Sequence, residues 1–417
     1  MITEDKVFLY SPDRKILIRK SLEKNFLKLG YKKKNVNLIP RKLRFLLKIF
    51  FQCNFIFKNP KSTKIVILDA QTTYFIKKII PKNSYQILST RIHQINNIYL
   101  TKEIFLFLLK NFFKRSLKKN YLLALTILIS PKIIITHIDN SEDFYYLSKS
   151  LFKNFKFMAI QNANRGDIIY AKKEKIKKVF IPEYYGFSKF DEHIYKKKKC
   201  AVNNFLCIGS LKASLFKEKI KNLKNNIKFD ICLISEPFPI LNGDYSHVVD
   251  IDKIIGQIAE YTFRLCKKHN FSLVFSAKLK KNNLFSRLEL PFYKQFLNSY
   301  NFKIKNDNDV FSTFKNVMQS KLVIGHTSTI LRESIYLKKK VLSCNFSNHP
   351  DFIFPSNGIC QLRIMKYEEF EKRVLYLLKI SNKEYFNKIH HNGTYIMNHK
   401  VNTAEFLRKR IRFYLEG

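Results

Sequence analysis

Short apolar runs alternate with longer amphipathic segments along most of the chain. Ile65–Leu68, Tyr85–Leu88, Pro131–Thr136, Phe157–Ile160, Val179–Ile181 and Phe205–Ile208 are brief and rich in β-branched or aromatic residues, as strands buried on both faces are. Phe229–Ile234, Ser272–Ser276, Leu322–Ile324 and the run from Val341 repeat the pattern in the second half. Between them, Lys102–Phe113, Tyr121–Leu128, Ser141–Phe152, Asp252–His269, Leu288–Asn298, Phe311–Gln319 and Tyr367–Ile380 read as helices. Lys6–Tyr10 predicts a first strand and Lys15–Leu29 a helix ended by Gly30; Lys383–Asn398 and Ala404–Leu415 predict the last helices. Strand alternating with helix predicts doubly wound α/β domains on parallel sheets. The chain of 417 residues is long enough for two, and the pattern divides them at 1–208 and 209–417.

One stretch, Ser320–Phe346, condenses this architecture. The Leu322–Ile324 strand stops at Gly325, a polar turn of His326, Thr327, Ser328 and Thr329 follows, and a helix over Ser328–Leu337 buries Ile330, Leu331, Ser334, Ile335 and Leu337. Lys338–Lys340 end it with positive charge, where the helix dipole is negative. Backbone N–H groups at such an N-terminus favour an anion, the three hydroxyls add donors, and Gly325 lets a ligand approach the backbone. A diphosphate suits the turn, and Glu333 lies one turn further, within reach of a sugar hydroxyl. Ordinary helix capping by Ser and Thr explains the same residues.

The segment GHTSTILRESIYLKKKVLSCNF resembles the donor-side loop and helix of GT-B glycosyltransferases, and most closely the bacterial surface carbohydrate biosynthesis proteins. ITHIDNSEDFYYLSKSL at Ile135–Leu151, FMAIQNANRGD at Phe157–Asp167 and FLCIGSLKASLF at Phe205–Phe216 agree, in the expected order. The resemblance implies a GT-B-like fold: two Rossmann-type domains with a cleft between them, an acceptor side in 1–208, a donor side in 209–417, and a last helix crossing back to the first domain. It implies transfer of a sugar from a nucleotide-activated donor to a glycan or lipid-linked acceptor in surface polysaccharide biosynthesis. The nucleotide-sugar is then a co-substrate, with no permanently bound cofactor. A sugar-nucleotide epimerase and a polyol-phosphate transferase share the fold. A basic nucleic-acid or membrane-binding protein without catalysis is the reading from another class.

Ligands of open α/β sheets sit at the carboxyl ends of strands. An inverting transfer needs a base near the acceptor hydroxyl, and His137 and Asp139 follow the PKIIIT strand. Asp139, with Asn140 and Ser141, also suits the cap of the following helix. Asn140, Gln161, Asn162 and Arg165 are the further acceptor-side candidates. The leaving diphosphate would meet Gly325, Thr327, Ser328 and Thr329, with Ser210 and the cations Lys212 and Arg332, and Glu333 on the ribose. Metal is not required. Asp250–Asp252 and Asp307–Asp309 match the DxD spacing but lie in polar segments before helices, and the adjacent His390 and His391 point different ways on a helix.

Composition adds a partner question. The formal charge is +45, spread over every segment, with Lys far ahead of Arg and the Lys/Asn/Ile/Phe bias of an A+T-rich genome. Lys32–Lys34, Lys196–Lys199 and Lys338–Lys340 read as solvated faces, and the absence of any nucleic-acid motif argues against that partner. An anionic membrane surface fits better. Arg41–Lys58 is basic and aromatic, and Ile104–Ser130 holds IFLFLLKNFF and YLLALTILIS around KRSLKK. Both read as core helices with outward lysines; Arg41–Lys58 is the best candidate for the alternative, contact with a bilayer. Seven cysteines without metal spacing read as free thiols, with Cys53, Cys207, Cys232, Cys266 and Cys344 buried, and the acidic start MITEDKVFLYSP is not a signal peptide. The expectation is a cytoplasmic protein, peripheral on the inner membrane face.

Overall fold

The structure is a computed structural model that describes residues 49–91, 94–113, 116–165, 168, 173–221, 226–236, 251–278, 289–296, 303–305, 309–347, 352–356 and 358–417. The predicted strand Lys6–Tyr10, the helix Lys15–Leu29 and the cluster Lys32–Lys34 lie outside these residues, as do residues 41–48. The chain forms two compact units, Lys42–Asn222 with Gly393–Gly417, and Leu223–Asn392.

The first unit begins with β1 (Asn54–Ile56), β2 (Ile65–Leu68), β3 (Tyr85–Leu88) and β4 (Asn97–Tyr99). Then come α1 (Lys102–Lys110), α2 (Leu117–Ile129), β5 (Ile133–Thr136), α3 (Glu142–Leu151) and β6 (Lys156–Ile160). After β7 (Phe180–Gly186) follow α4 (Lys189–Lys197), β8 (Ala201–Cys207) and α5 (Leu211–Lys219). The main sheet is parallel in the order β3-β2-β5-β6-β7-β8; β1 and β4 form a separate parallel pair. IVIL of β2 and IIIT of β5 are buried throughout, because helices cover both faces of a parallel sheet. Ser141 caps α3, its Oγ accepting from Phe144 N–H at 3.3 Å, above two acids in the first turn.

The second unit holds β9 (Phe229–Ile234), α6 (Ile251–His269), β10 (Leu273–Ser276), α7 (Leu290–Lys294), β11 (Lys303–Lys305) and α8 (Ser312–Met318). It continues with β12 (Ser320–Gly325), α9 (Thr329–Tyr336), β13 (Lys340–Cys344), β14 (Gln361–Leu362), α10 (Tyr367–Lys379) and α11 (Asn382–Lys388). Its parallel sheet has the order β11-β10-β9-β12-β13-β14, the 3-2-1-4-5-6 arrangement of a Rossmann fold. The predicted helix over Lys383–Asn398 is shorter, ending at Lys388 before a 3₁₀ turn at His390–Gly393. The last helix, α12 (Thr403–Glu416), belongs to the first unit. Asn398 Nδ2 donates to Cys207 O at 2.7 Å, Thr403 Oγ1 to Ile208 O at 2.5 Å, and Arg410 pairs with Glu183 at 2.8 Å.

The structure departs from the sequence reading over Lys338–Lys340. Lys339 and Lys340 are buried, not solvated. Lys340 Nζ donates to Leu377 O at 2.6 Å and Ile380 O at 2.7 Å, so it closes the carboxyl end of α10 rather than of its own helix. Lys339 Nζ likewise donates to Met318 O at 3.0 Å, at the end of α8. Each ammonium meets carbonyls that a helix end leaves unpaired. Of the thiols expected to be buried, Cys207 is only half-buried, 3.5 Å from Glu192 Oε2.

Candidate functional site

In each sheet one pair of neighbouring strands marks the point where the chain reverses its direction of winding, β2/β5 in the first unit and β9/β12 in the second. The chemistry-bearing side chains gather at the carboxyl ends of these strands.

In the first unit, Asp139 is fully buried and both carboxylate oxygens are engaged. Arg165 grips it as a fork, Nε to Oδ2 at 2.6 Å and Nη2 to Oδ1. Tyr184 Oη donates to Oδ2 at 2.7 Å and Asn162 N–H to Oδ1 at 3.1 Å. A carboxylate so occupied is an anchor for the β6 loop, and the helix cap falls to Ser141 instead. Burial, with the Asp139 charge, pushes the Tyr184 phenol well above its ordinary value, so it stays a donor. Asn162 extends the network, accepting Arg165 Nη2 at its side chain (2.7 Å) and Lys212 Nζ at its carbonyl (2.9 Å). Gln161 is structural: Nε2 donates to Asp191 Oδ1 at 2.9 Å and Oε1 accepts from Phe187 N–H at 2.8 Å. Ser210 caps α5 through Ala213 N–H at 3.2 Å, and Asn140 is exposed. Ser210 and Lys212, grouped by sequence with the 325–333 loop, belong to the first unit.

His137 differs from these. It is buried, and neither ring nitrogen has a hydrogen-bond partner. Burial lowers its pKa well below 6.5, helped by the charges of Lys212 and Arg165 and weakly opposed by the Gln161 backbone, so the ring is neutral at pH 7. Beside it Asp69, at the end of β2, adopts a left-handed φ of 73°. Its carboxylate secures that conformation by accepting from Gln71 N–H at 3.0 Å and Arg91 Nε at 2.8 Å.

In the second unit the strand–loop–helix geometry is as the sequence predicts, but the loop already holds an anion. Glu236, at the end of β9, is buried and accepts from His326 N–H at 2.8 Å and from Thr327 N–H at 3.0 Å. Burial raises its pKa, opposed by these amides, that of Ser328 and the Lys278 charge. Gly325 serves this contact: a Cβ there would stand 3.2 Å from Glu236 Oε1 and from Ile234 Cβ. The close approach the sequence reserved for a ligand is thus made by the protein's own carboxylate. Ser328 occupies the N-cap of α9 without a side-chain capping bond, and Thr327, Ser328 and Thr329 are half-buried. Arg332 and Glu333 are buried in α9, where the sequence put them toward a ligand.

Around Glu236 stand Ser235, Lys278 and His326, which the carboxyl-end rule also picks out, with Glu289 and Tyr293, which it does not. Ser235 Oγ donates to the buried Glu289, which also accepts from Lys278 N–H at 2.7 Å, and Tyr293 Oη accepts from Glu236 N–H at 3.0 Å. His326 is buried with neither ring nitrogen partnered, and burial lowers its pKa to about 3. A cavity of about 10 Å³, room for roughly one water, opens between His326, Glu236, Tyr293 and the apolar side chains of Ile255 and Ile258. A buried His directly after the central strand is therefore common to both units, and its signal was the position: the first residues past IIIT and past VIG. Among the described residues no group of three or more His, Cys, Asp or Glu is placed to hold a metal. Asp250 and Asp307 lie outside the described residues.

No family model matches the sequence, and no curated protein does. Solved structures match in fold. The UDP-GlcNAc 2-epimerase of Neisseria meningitidis bound to UDP-GlcNAc is 12% identical, covers 84% of this chain and 99% of its own, and has a TM-score of 0.50. That of Methanocaldococcus jannaschii, in complex with UDP-GlcNAc and UDP, is 10% identical over 85% and 99%, with a TM-score of 0.50. MnaA of S. aureus with UDP is 12% identical over 86% and 97%, with a TM-score of 0.51. Identities this low carry the architecture alone. The chain has a GT-B-like fold of two Rossmann-type α/β units.

Proposed function

We propose that the protein transfers a sugar from a nucleotide-activated donor to a glycan or lipid-linked acceptor, in the making of a surface carbohydrate. The observation that carries the reading is His137: a neutral imidazole at a strand switch point, with both nitrogens unpartnered. It would accept the proton of the acceptor hydroxyl as that oxygen bonds to the anomeric carbon. The bond from that carbon to the diphosphate breaks, and its electron pair leaves on the diphosphate. Burial, helped by the charges of Lys212 and Arg165, keeps the ring neutral before that transfer. The donor's diphosphate would sit at the α9 N-terminus, beyond the His326, Thr327 and Ser328 amides that Glu236 holds. Asp139 and Arg165 would position the loop, with Asn162 and Lys212 in the same network.

Epimerisation of a UDP-sugar is the second reading, favoured by the UDP-GlcNAc 2-epimerases among the fold matches. Calorimetry with UDP, CDP and GDP, alone and as sugar conjugates, tests the donor. Incubation without acceptor then separates the two: an epimerase converts the sugar, whereas a transferase releases nucleotide only once acceptor is added. Failure of every nucleotide to bind would remove both readings. Unchanged turnover in His137→Gln would remove the base.

A further inference from the structure

We propose that the first unit docks on an anionic membrane through an exposed aromatic face built from the segment before β1, the β1/β4 pair and α1. The face is an anomaly of burial. On α1, Phe105, Leu106 and Leu109 are exposed, and Phe112 and Phe113 continue them in the following turn. Their spacing of i, i+1, i+4, i+7 and i+8 is one helical face, the kind that normally packs inward. Here the inward side is a different set: Ile104 is buried, and Phe107 and Leu108 pack against the core. The helix is apolar on both sides and anchored by only one.

The patch extends beyond the helix. Residues 49–52 form a helical turn carrying Phe50 and Phe51, the latter 81% exposed. Past β1, Phe57 is 75% exposed, and Ile56 O accepts from the N–H of exposed Leu100 at 2.8 Å, which ties it to the residue leading into α1. The Asn59 side chain bonds Glu103 in the first turn of α1, joining the two segments again. Exposed Phe and Leu side chains gathered on segments tied together in this way mark an interaction site.

Charge selects the occupant. Lys58, Lys102 and Lys110 are exposed at the edge of the patch, and Glu103 is the one acid in α1. The whole chain carries +45. A second copy would bring like charge to like, whereas anionic headgroups would meet the lysines while the aromatic rings enter the acyl boundary. Nine residues of α1 are too few to span a bilayer, and among the described residues no helix is long and apolar enough to cross one. The surface therefore lies on the lipid.

The chain contains no tryptophan, so Phe113→Trp in the full chain gives a single reporter at the tip of the patch, a position 97% exposed. With vesicles of phosphatidylcholine and phosphatidylserine its emission should shift to the blue and be quenched by brominated acyl chains. Pure phosphatidylcholine should bind more weakly, and added salt should reverse binding. Neutralising Lys102 and Lys110 to Gln should weaken vesicle binding by about 25-fold, at roughly fivefold per charge. Phe105→Gln with Leu109→Gln should weaken it by about tenfold or more; both residues are exposed, and unchanged thermal midpoints verify the fold. Three results would each overturn the proposal. One is an unmoved emission with anionic vesicles. Another is vesicle binding that survives the Gln variants. The third is a blue shift without lipid that grows with protein concentration alongside a dimer in sedimentation, which would assign the face to a second copy.

Discussion

Asp139 and His137 are two residues apart and have opposite fates. The carboxylate is gripped by Arg165 and Tyr184, while the imidazole is left bare. Replacing Asp139 with Asn takes the carboxylate away from the buried Arg165 charge, so chemical denaturation should show a loss of about 3–5 kcal/mol. A loss below 1 kcal/mol would mean that the pair is not what orders the loop. His326 makes an acid-limb prediction. Its folded pKa of about 3 lies below the unfolded value near 6.5, so the unfolded chain binds more protons between them and stability falls as pH drops through that window. At pH 5 the cost is about 2 kcal/mol. His326→Gln should remove that part of the acid sensitivity, read as a flatter denaturant midpoint between pH 7 and pH 5; an unchanged slope would contradict it. Sequence reasoning found His137 and Asp139 by their place after IIIT. It could not pair Asp139 with Arg165, because the two meet only when β5 and β6 align, nor Glu236 with Thr327, 91 residues away.

At the scale of elements, the strands were legible because β-branched runs such as IVIL and IIIT have few alternatives to double-sided burial. Helix α2 packs in the core as the sequence predicts, but α1 exposes the face that the same reading buried. Residues 49–58 are also not one helix: a strand interrupts them, and their phenylalanines face outward. Apolar content predicts a buried helix only where there is a partner to bury it. The lysines after α9 misled for the converse reason. In a chain with 77 basic residues a lysine run reads as surface, and only the packed fold shows carbonyls waiting for it. Lys340→Met should cost about 1–3 kcal/mol, since it strips the α10 carbonyls of their donor. Lys339 makes a separate pH test. Burial, with Lys340 adjacent, lowers its folded pKa to about 8, below the unfolded 10.5, so the native state releases its proton first. Stability should therefore rise from pH 8 to pH 9.5 relative to Lys339→Met; parallel curves would show that the side chain does not titrate there.

For the whole molecule, the alternation of strands and helices was enough to read two doubly wound α/β halves. The sheet orders were not readable, since order depends on which strands pair and not on their sequence alone. The charge of +45 likewise says nothing of fold, but it raises the weight of any face where lysine and phenylalanine are interleaved. The placement of α12 in the first unit has a temporal consequence. About 170 residues separate Asn222 from Gly393, so at a synthesis rate of roughly 5–20 residues per second the first unit waits about 9–34 s for its last helix. During that interval the carbonyls of Cys207 and Ile208 lack the partners that Asn398 and Thr403 later bring. Ribosome-bound chains stalled after residue 392 should therefore be cut by protease within the first half, and chains carrying α12 clear of the exit tunnel should resist. Equal resistance would mean that the first unit closes without it. If only the chains carrying α12 resist, the order of emergence along the ribosome, rather than the order of the strands, sets when the nascent protein needs a chaperone.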